Sequence, residues 1–245
     1  MPRIRARSAV CGLFALAAAV AAASRADSFS DMAKTLMAQP AAQSALSDSD
    51  IAAGLKQALA KGTTAAINEL GRSGGFWDNP RFRIPLPEKI QGYLQGSNIG
   101  GQLDDLHLSF NRAAEQAVPV AADVFGEAVQ KLSLDDVRGI LNGPQDAATQ
   151  YFKRATSDTL TARFKPIVSG ITAKVGLAQK YNSVMGQAGP MAGLLGSKQN
   201  LDLNDYVTRK TLDGLFVRVG DEEKQIRTDP AARSTELMKK VFGSK

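Results

Sequence analysis

The chain has 245 residues, a formal net charge of +6 and a single cysteine, Cys11. This length is enough for one helical domain or two small subdomains. A single cysteine excludes an internal disulfide bond, so the hydrophobic residues, 44% of the chain, have to hold the fold together through a packed core.

The first 26 residues have the pattern of a secretory signal peptide. Three arginines precede an apolar run from Ala9 to Ala23, and small residues stand at Ser24 and Ala26, where a signal peptidase reads the chain. The apolar run is shorter than the ~20 residues that span a bilayer, although a retained membrane anchor is the alternative. We therefore expect residues 1–26 to be removed and the protein to reach the periplasm with no transmembrane anchor.

Cleavage changes what the composition implies. Cys11 lies inside the apolar run rather than after it, which argues against a lipoprotein, and it leaves with the signal together with four of the thirty basic residues. The remaining 26 basic and 24 acidic residues give a net charge of +2, which leaves no electrostatic footprint for nucleic acid. The mature chain also has no thiol for zinc binding or nucleophilic catalysis.

Apolar residues recur at helical spacing along most of the chain. After a loosely attached segment at 27–46, Ser47 and Asp50 form the signal of a helix N-terminus, and no stretch shows the sustained alternation that is typical of strands. We predict an all-α domain over 47–245, a compact bundle of about nine or ten helices. The main apolar stripes are Ile51, Leu55, Leu59, Ile67 and Leu70; Val118, Ala122, Phe125, Val129 and Leu132; Leu160, Phe164, Ile167, Val168, Ile171 and Val175; and Leu212, Leu215, Phe216 and Val219.

Two segments interrupt the helical pattern. Residues 73–87 contain three prolines and the only tryptophan, which predicts an extended, proline-rich strap docked on the helices. Residues 186–200 are rich in glycine and predict a mobile loop or a subdomain boundary. Pro119 and Pro166 lie inside periodic stretches and should kink or divide them.

The aromatic and cationic residues of the strap allow two interpretations. Phe76, Trp77, Arg81, Phe82 and Arg83 could stack on a ligand or contact an anionic membrane surface. Alternatively, the aromatic rings anchor the strap to the core and the arginines face solvent.

The only histidine, His107, is the first place to look for chemistry. On a helix it shares one side with Asp104, Asn111 and Glu115, a stripe that could bind a metal or transfer protons. A metal would need a further ligand from elsewhere, so a polar helix face is the simpler interpretation. The sequence also lacks the signatures of a serine nucleophile and of a phosphate-binding glycine loop. We expect no catalytic residue, no metal and no cofactor.

A pair of carboxylates could still catalyse hydrolysis of a polymer, because this chemistry does not need a histidine. Internal arginine–carboxylate bridges that fix one helix against another explain the same residues equally well. The carboxylates in question are Glu115, Asp146 and Asp213, and the arginines are Arg112, Arg154 and Arg233.

Seven motifs, taken in chain order, resemble one family of exported bacterial proteins of unknown function, DUF4197. They are RIPLPEK (83–89), LSFNRAAEQAVP (108–119), GPQDAATQYF (143–152), FKPIV (164–168), YVTRKTLDGLF (206–216), DPAAR (229–233) and LMKKVFG (237–243). The resemblance covers roughly residues 46–243 and implies an all-helical fold, an envelope location and no assigned activity. It also draws attention to the polar positions of these motifs, which we take as candidate binding residues: Asn111, Arg112, Glu115, Asp146, Thr149, Tyr151, Asp213 and Arg233, with Asp229 beside them.

We expect a periplasmic, non-catalytic binding or interaction protein whose partner is an apolar ligand, a lipid or another envelope protein. One alternative is a carboxylate-based hydrolase of an envelope polymer that uses Glu115 and Asp146 with support from Arg112. Another is a purely structural or assembly factor.

Overall fold

The computed structural model describes residues 46–88, 100–174, 176, 179 and 202–243. These residues fall in one compact unit, Leu46–Lys245. They contain helices and turns but no strand, which confirms the predicted all-α class for this part of the chain. The expected signal peptide, nearly all of the N-terminal segment and the glycine-rich stretch at 186–200 lie outside the described residues.

The elements follow in the order α1 (Asp48–Leu70), α2 (Gly100–Ala117), α3 (Ala121–Gln130), α4 (Leu134–Asn142), α5 (Ala147–Lys174), α6 (Leu203–Thr228) and α7 (Glu236–Gly243), with 3-10 turns at Val118–Val120 and Pro230–Ala232. The expected number of nine or ten helices is wrong for the described residues, which form fewer. Pro119 does separate two helices, because it lies in the 3-10 turn between α2 and α3. Pro166 instead lies inside α5.

The continuity of α5 across Pro166 has a tertiary cause. Proline removes one backbone hydrogen bond of a helix, but α5 makes the most extensive helix–helix contact of the described fold, with α6. On both sides of the proline, Phe164 and Val168 are fully buried. Packing of this face outweighs the loss of one hydrogen bond, so the helix continues.

The core lies where α1, α2, α3, α5 and α6 meet. Phe110, Phe125, Phe152 and Phe164 are fully buried there, and the ring centroids of Phe125 and Phe152 are 5.0 Å apart. Burial of each such side chain contributes about 1.5–3 kcal/mol. This apolar packing is the source of stability that a chain without disulfide bonds requires.

Small residues on α1 allow two other helices to approach closely. A Cβ atom at Gly54 would lie 2.7 Å from Cγ2 of Val241 on α7, and one at Gly62 would lie 3.3 Å from Cβ of Glu222 on α6. The recurrence of glycine and alanine every four residues along α1 is therefore explained by packing.

The strap follows α1 and lies on the helices, as predicted. Phe76, Phe82, Ile84 and Leu86 are buried. The backbone forms turns through Phe82, where an extended strap was predicted, and has no regular secondary structure from residue 83 to 87. Gly214 on α6 makes room for it, because a Cβ atom there would lie 3.0 Å from Cε1 of Phe76. The strap aromatics thus anchor it to the core, apart from the half-buried Trp77.

Candidate functional site

Three predicted residues on consecutive turns of α2 hold the strap, and we call Asn111, Arg112 and Glu115 the strap clamp. The Glu115 side chain is only 3% exposed. Its Oε1 accepts hydrogen bonds from the backbone N–H groups of Phe76 at 3.1 Å and Trp77 at 3.0 Å, and its Oε2 accepts one from Arg112 Nη1 at 2.6 Å. Both carboxylate oxygens are therefore occupied inside the protein.

Asn111 binds the strap as a neighbouring strand would. Its Oδ1 accepts from the N–H of Ile84 at 2.8 Å, and its Nδ2 donates to the carbonyl of Ile84 at 3.2 Å. Arg112 Nη1 also donates to Ser73 Oγ at 2.8 Å. Buried backbone groups outside helices need hydrogen-bond partners, and the strap clamp supplies them here in place of a sheet.

His107 belongs to the same set of strap contacts. Its Nε2 lies 2.8 Å from the carbonyl oxygen of Ile84 and must carry a proton there, because a carbonyl only accepts. Burial lowers the pKa of His107, and the nearby Arg83 lowers it further, against opposing effects from the Ile84 hydrogen bond and Asp104. Across the described ranges, no group of three His, Cys, Asp or Glu side chains is placed to hold a metal ion.

Thr149 belongs to a second set, at the start of α5. The carboxylate of Glu223 on α6 accepts from the N–H groups of Ala148 and Thr149, both at 2.9 Å, and from Thr149 Oγ1 at 2.8 Å. Arg227 donates to Glu223 and to the carbonyl of Ile140 in α4 at 2.8 Å. The carboxylate of Glu223 thus accepts free N–H groups at the start of α5, and Arg227, which is paired with it, donates to a carbonyl near the end of α4.

The remaining predicted residues lie apart from these two sets. Arg233 donates to the carbonyls of Ile226 and Arg227 at the end of α6, and Tyr151 donates to the carbonyl of Ala128 in α3 at 3.1 Å. Asp146 is exposed and accepts only from the Gln150 amide among the described contacts. Asp213 is 72% exposed, 3.9 Å from Lys210.

The predicted residues therefore do not converge on one pocket. The buried and partly buried residues have structural contacts: they bind the ends of helices, connect two helices or hold the strap. Asp146 and Asp213 lie on the surface. Glu115 and Asp146 occupy different surroundings, one buried and fully hydrogen-bonded, the other exposed. No observation favours the pairing that a carboxylate-based hydrolase requires.

Sequence reasoning missed the acidic and basic residues of α6. Besides Glu223 and Arg227, Arg218 donates to Glu69 of α1 at 2.5 Å and to Glu222 within α6. The four-residue spacing of both Arg–Glu pairs within α6 could have been used to predict those pairs. Their contacts with residues about 75 to 150 positions away could not be predicted from local spacing.

A cavity between α1, α5 and α6 is small. It has a volume of about 20 Å³ and is lined by apolar side chains that include Leu59, Phe152 and Val219, with Glu223 and Arg227 at one side. This is room for about one water molecule.

Two larger hollows lie open on the surface where α5 meets α6. One measures about 530 Å³ between α5 and Asn204, and the other about 340 Å³ between Lys153, Ser157 and the segment Tyr206–Phe216. We call these two hollows the seam.

Comparison with known proteins adds a family but no activity. Among the described helices, none is both long enough and apolar enough to cross a membrane. No curated protein and no solved structure matches the chain. The family described as "Protein of unknown function (DUF4197)" matches residues 45–243. The chain belongs to this family.

Proposed function

We propose that this chain is a non-catalytic interaction protein of the bacterial cell envelope that binds a protein partner on its surface. The observation that supports it most is the use of the buried motif polar groups in internal hydrogen bonds, at the strap and at the helix ends. A group whose oxygens already accept backbone N–H donors is not available to a substrate. The envelope location rests on the signal-peptide pattern of residues 1–26.

A protein partner fits this surface better than an apolar ligand or a lipid tail. Pockets for small molecules usually measure about 300–1,000 Å³ and bury most of the ligand, whereas the cavity between α1, α5 and α6 measures about 20 Å³. The two hollows of the seam are open, and they combine apolar surface with hydroxyl groups and charges of both signs, among them Ser157, Lys165 and Asp213. An open lining of this mixed kind suits the side of a partner helix, whereas a hydrocarbon tail needs an enclosed pocket.

The seam also has the length that a partner helix would need. Lys153, Ser157, Thr161, Lys165 and Ser169 follow one another every four residues along α5 and line its two hollows. Sixteen residues of helix extend about 24 Å. A row at four-residue spacing is inclined to the helix axis, so a partner helix of about four turns would follow this row by crossing α5 at an angle.

Photo-crosslinking in intact cells tests the proposal. The photoreactive residue is placed at Ser157 or Thr161 in the full-length chain, with exposed Gln145 as the matched control position outside the seam. We expect one discrete adduct, the same from both seam positions and absent from the control, and its loss when Lys153 and Arg209 are both changed to glutamate. Adducts of equal yield at all three positions, or at none, would contradict the proposal.

A further inference from the structure

One exposed guanidinium on the strap is held by two contacts and forms no ion pair with a described residue. The Nε of Arg83 donates to the carbonyl of Trp77 at 2.6 Å, and its Cζ lies 4.8 Å from the centroid of the Trp77 ring. Counting only described residues, no carboxylate lies within ion-pair distance of Arg83, and its two Nη groups have no acceptor. The neighbouring Arg81 differs, because both of its Nη groups donate to Asp221.

The surface beneath Arg83 is itself fixed. The N–H of Trp77 donates to Glu115, and its indole meets the His107 ring edge-on, with centroids 5.0 Å apart. His107 is tied to the carbonyl of Ile84 at 2.8 Å. We call Arg83, Trp77 and His107 the arginine platform. A guanidinium held in this way has already lost much of the side-chain freedom that binding would otherwise remove.

A second guanidinium contacts the strap at Ser73. Arg112 Nη1 is shared between Ser73 and Glu115, and its side chain remains 34% exposed. Glu115 Oε1 accepts the N–H of Trp77, while Arg83 donates to the carbonyl of the same residue. Arg112 and the N–H of Trp77 therefore share one carboxylate, Glu115, through its two different oxygens.

We propose that the arginine platform binds a phosphate group, carried by a phospholipid headgroup or free in solution. The planar guanidinium of Arg83 offers two parallel N–H donors to two phosphate oxygens, and a fork of this kind matches phosphate geometry better than an ammonium does. The half-buried indole beside it is typical of side chains that lie at a membrane–water interface. This inference concerns the strap and is independent of the partner proposed for the seam.

The test compares Arg83→Gln with Arg81→Gln in the full-length purified protein. Binding to vesicles of phosphatidylglycerol and phosphatidylethanolamine is measured by flotation, and binding of inorganic phosphate by titration calorimetry. We expect saturable binding that weakens about tenfold in Arg83→Gln and is unchanged in Arg81→Gln. Binding to vesicles alone assigns the phosphate to a lipid headgroup, and binding of inorganic phosphate assigns it to a soluble ligand.

Two results would overturn the proposal: binding to neither probe, or equal weakening in both variants, which would show non-specific attraction to positive charge. Far-ultraviolet circular dichroism of each variant checks that the helices are intact. Arg83→Lys is the second variant, because it keeps the charge and loses the fork. It should also bind less tightly, and wild-type affinity in this variant would contradict the paired N–H geometry.

Discussion

Replacing Glu115 by alanine should release the strap and destabilise the whole domain. The carboxylate is 3% exposed and accepts the backbone N–H groups of Phe76 and Trp77. Without it both donors lose their acceptor, at about 1–3 kcal/mol for each. The partly exposed Arg112 can turn to water, so the lost ion pair adds little. We expect a total loss of about 2–6 kcal/mol in the free energy of unfolding, or about 5–20 °C in Tm for a chain of this size.

The assay uses the only tryptophan of the chain, which lies in the strap. Urea unfolding is followed by Trp77 fluorescence, which reports the strap, and by circular dichroism at 222 nm, which reports the helices. In Glu115→Ala the fluorescence transition should precede the helical one. Glu127→Ala is the matched control, because Glu127 is 55% exposed and lies 3.5 Å from Lys131; it should change stability by less than about 0.5 kcal/mol. A Glu115→Ala protein as stable as this control would refute the role of the strap clamp.

Three further predictions follow from the same contacts. Glu223→Ala should lower the free energy of unfolding by about 2–4 kcal/mol in chemical denaturation, because two N–H groups at the start of α5 lose their acceptor. Replacing the exposed Asp213 by alanine should lower it by less than about 0.5 kcal/mol, and equal effects would contradict the distinction between buried and exposed carboxylates. Gly54→Val should lower stability by about 1–3 kcal/mol, because the new side chain would collide with Val241. Gly139→Ala should raise stability slightly, because the space around Gly139 is open and alanine favours a helix. A higher Tm for Gly54→Val than for Gly139→Ala would contradict the packing of α7 on α1. Burial lowers the pKa of His107 below 6.5, so the unfolded chain takes up the proton first and stability should fall as pH drops below about 6.5. His107→Gln keeps an N–H donor for Ile84 and should remove this part of the dependence, measured as urea midpoints at pH 7.5 and 5.5; an identical pH dependence in both proteins would contradict it.

The parts of the fold that the sequence predicted are those with a local code. The stripe of Leu212, Leu215, Phe216 and Val219 is buried as its spacing indicated. Ser47 caps the start of α1 as predicted, because its Oγ accepts the N–H of Asp50. The prolines and aromatic rings of the strap indicated an extended segment docked on the helices. The docking is confirmed by the burial of Phe76, Phe82 and Ile84, whereas the strap forms turns through Phe82 instead of being extended throughout.

The contacts of the strap clamp were harder to predict from the sequence, because its side chains bind backbone groups that lie far away along the chain. Glu115 accepts N–H groups 38 and 39 residues away, and any residue type in the strap offers the same N–H. Asp213 follows the buried Leu212, yet one residue along a helix turns the side chain by about 100°, which places it in solvent. Membership in a motif did not separate buried hydrogen-bonding residues from exposed ones.

The central claim is that polar side chains of α2 hold the strap in place of a sheet. Native-state hydrogen exchange of the amides of Phe76, Trp77 and Ile84 tests it most directly, since these N–H groups donate to Glu115 and Asn111. We predict that all three exchange slowly in the wild-type protein, and that Phe76 and Trp77 lose this protection in Glu115→Ala. Exchange of these amides at the rate of an unstructured peptide in the wild-type protein would contradict the claim.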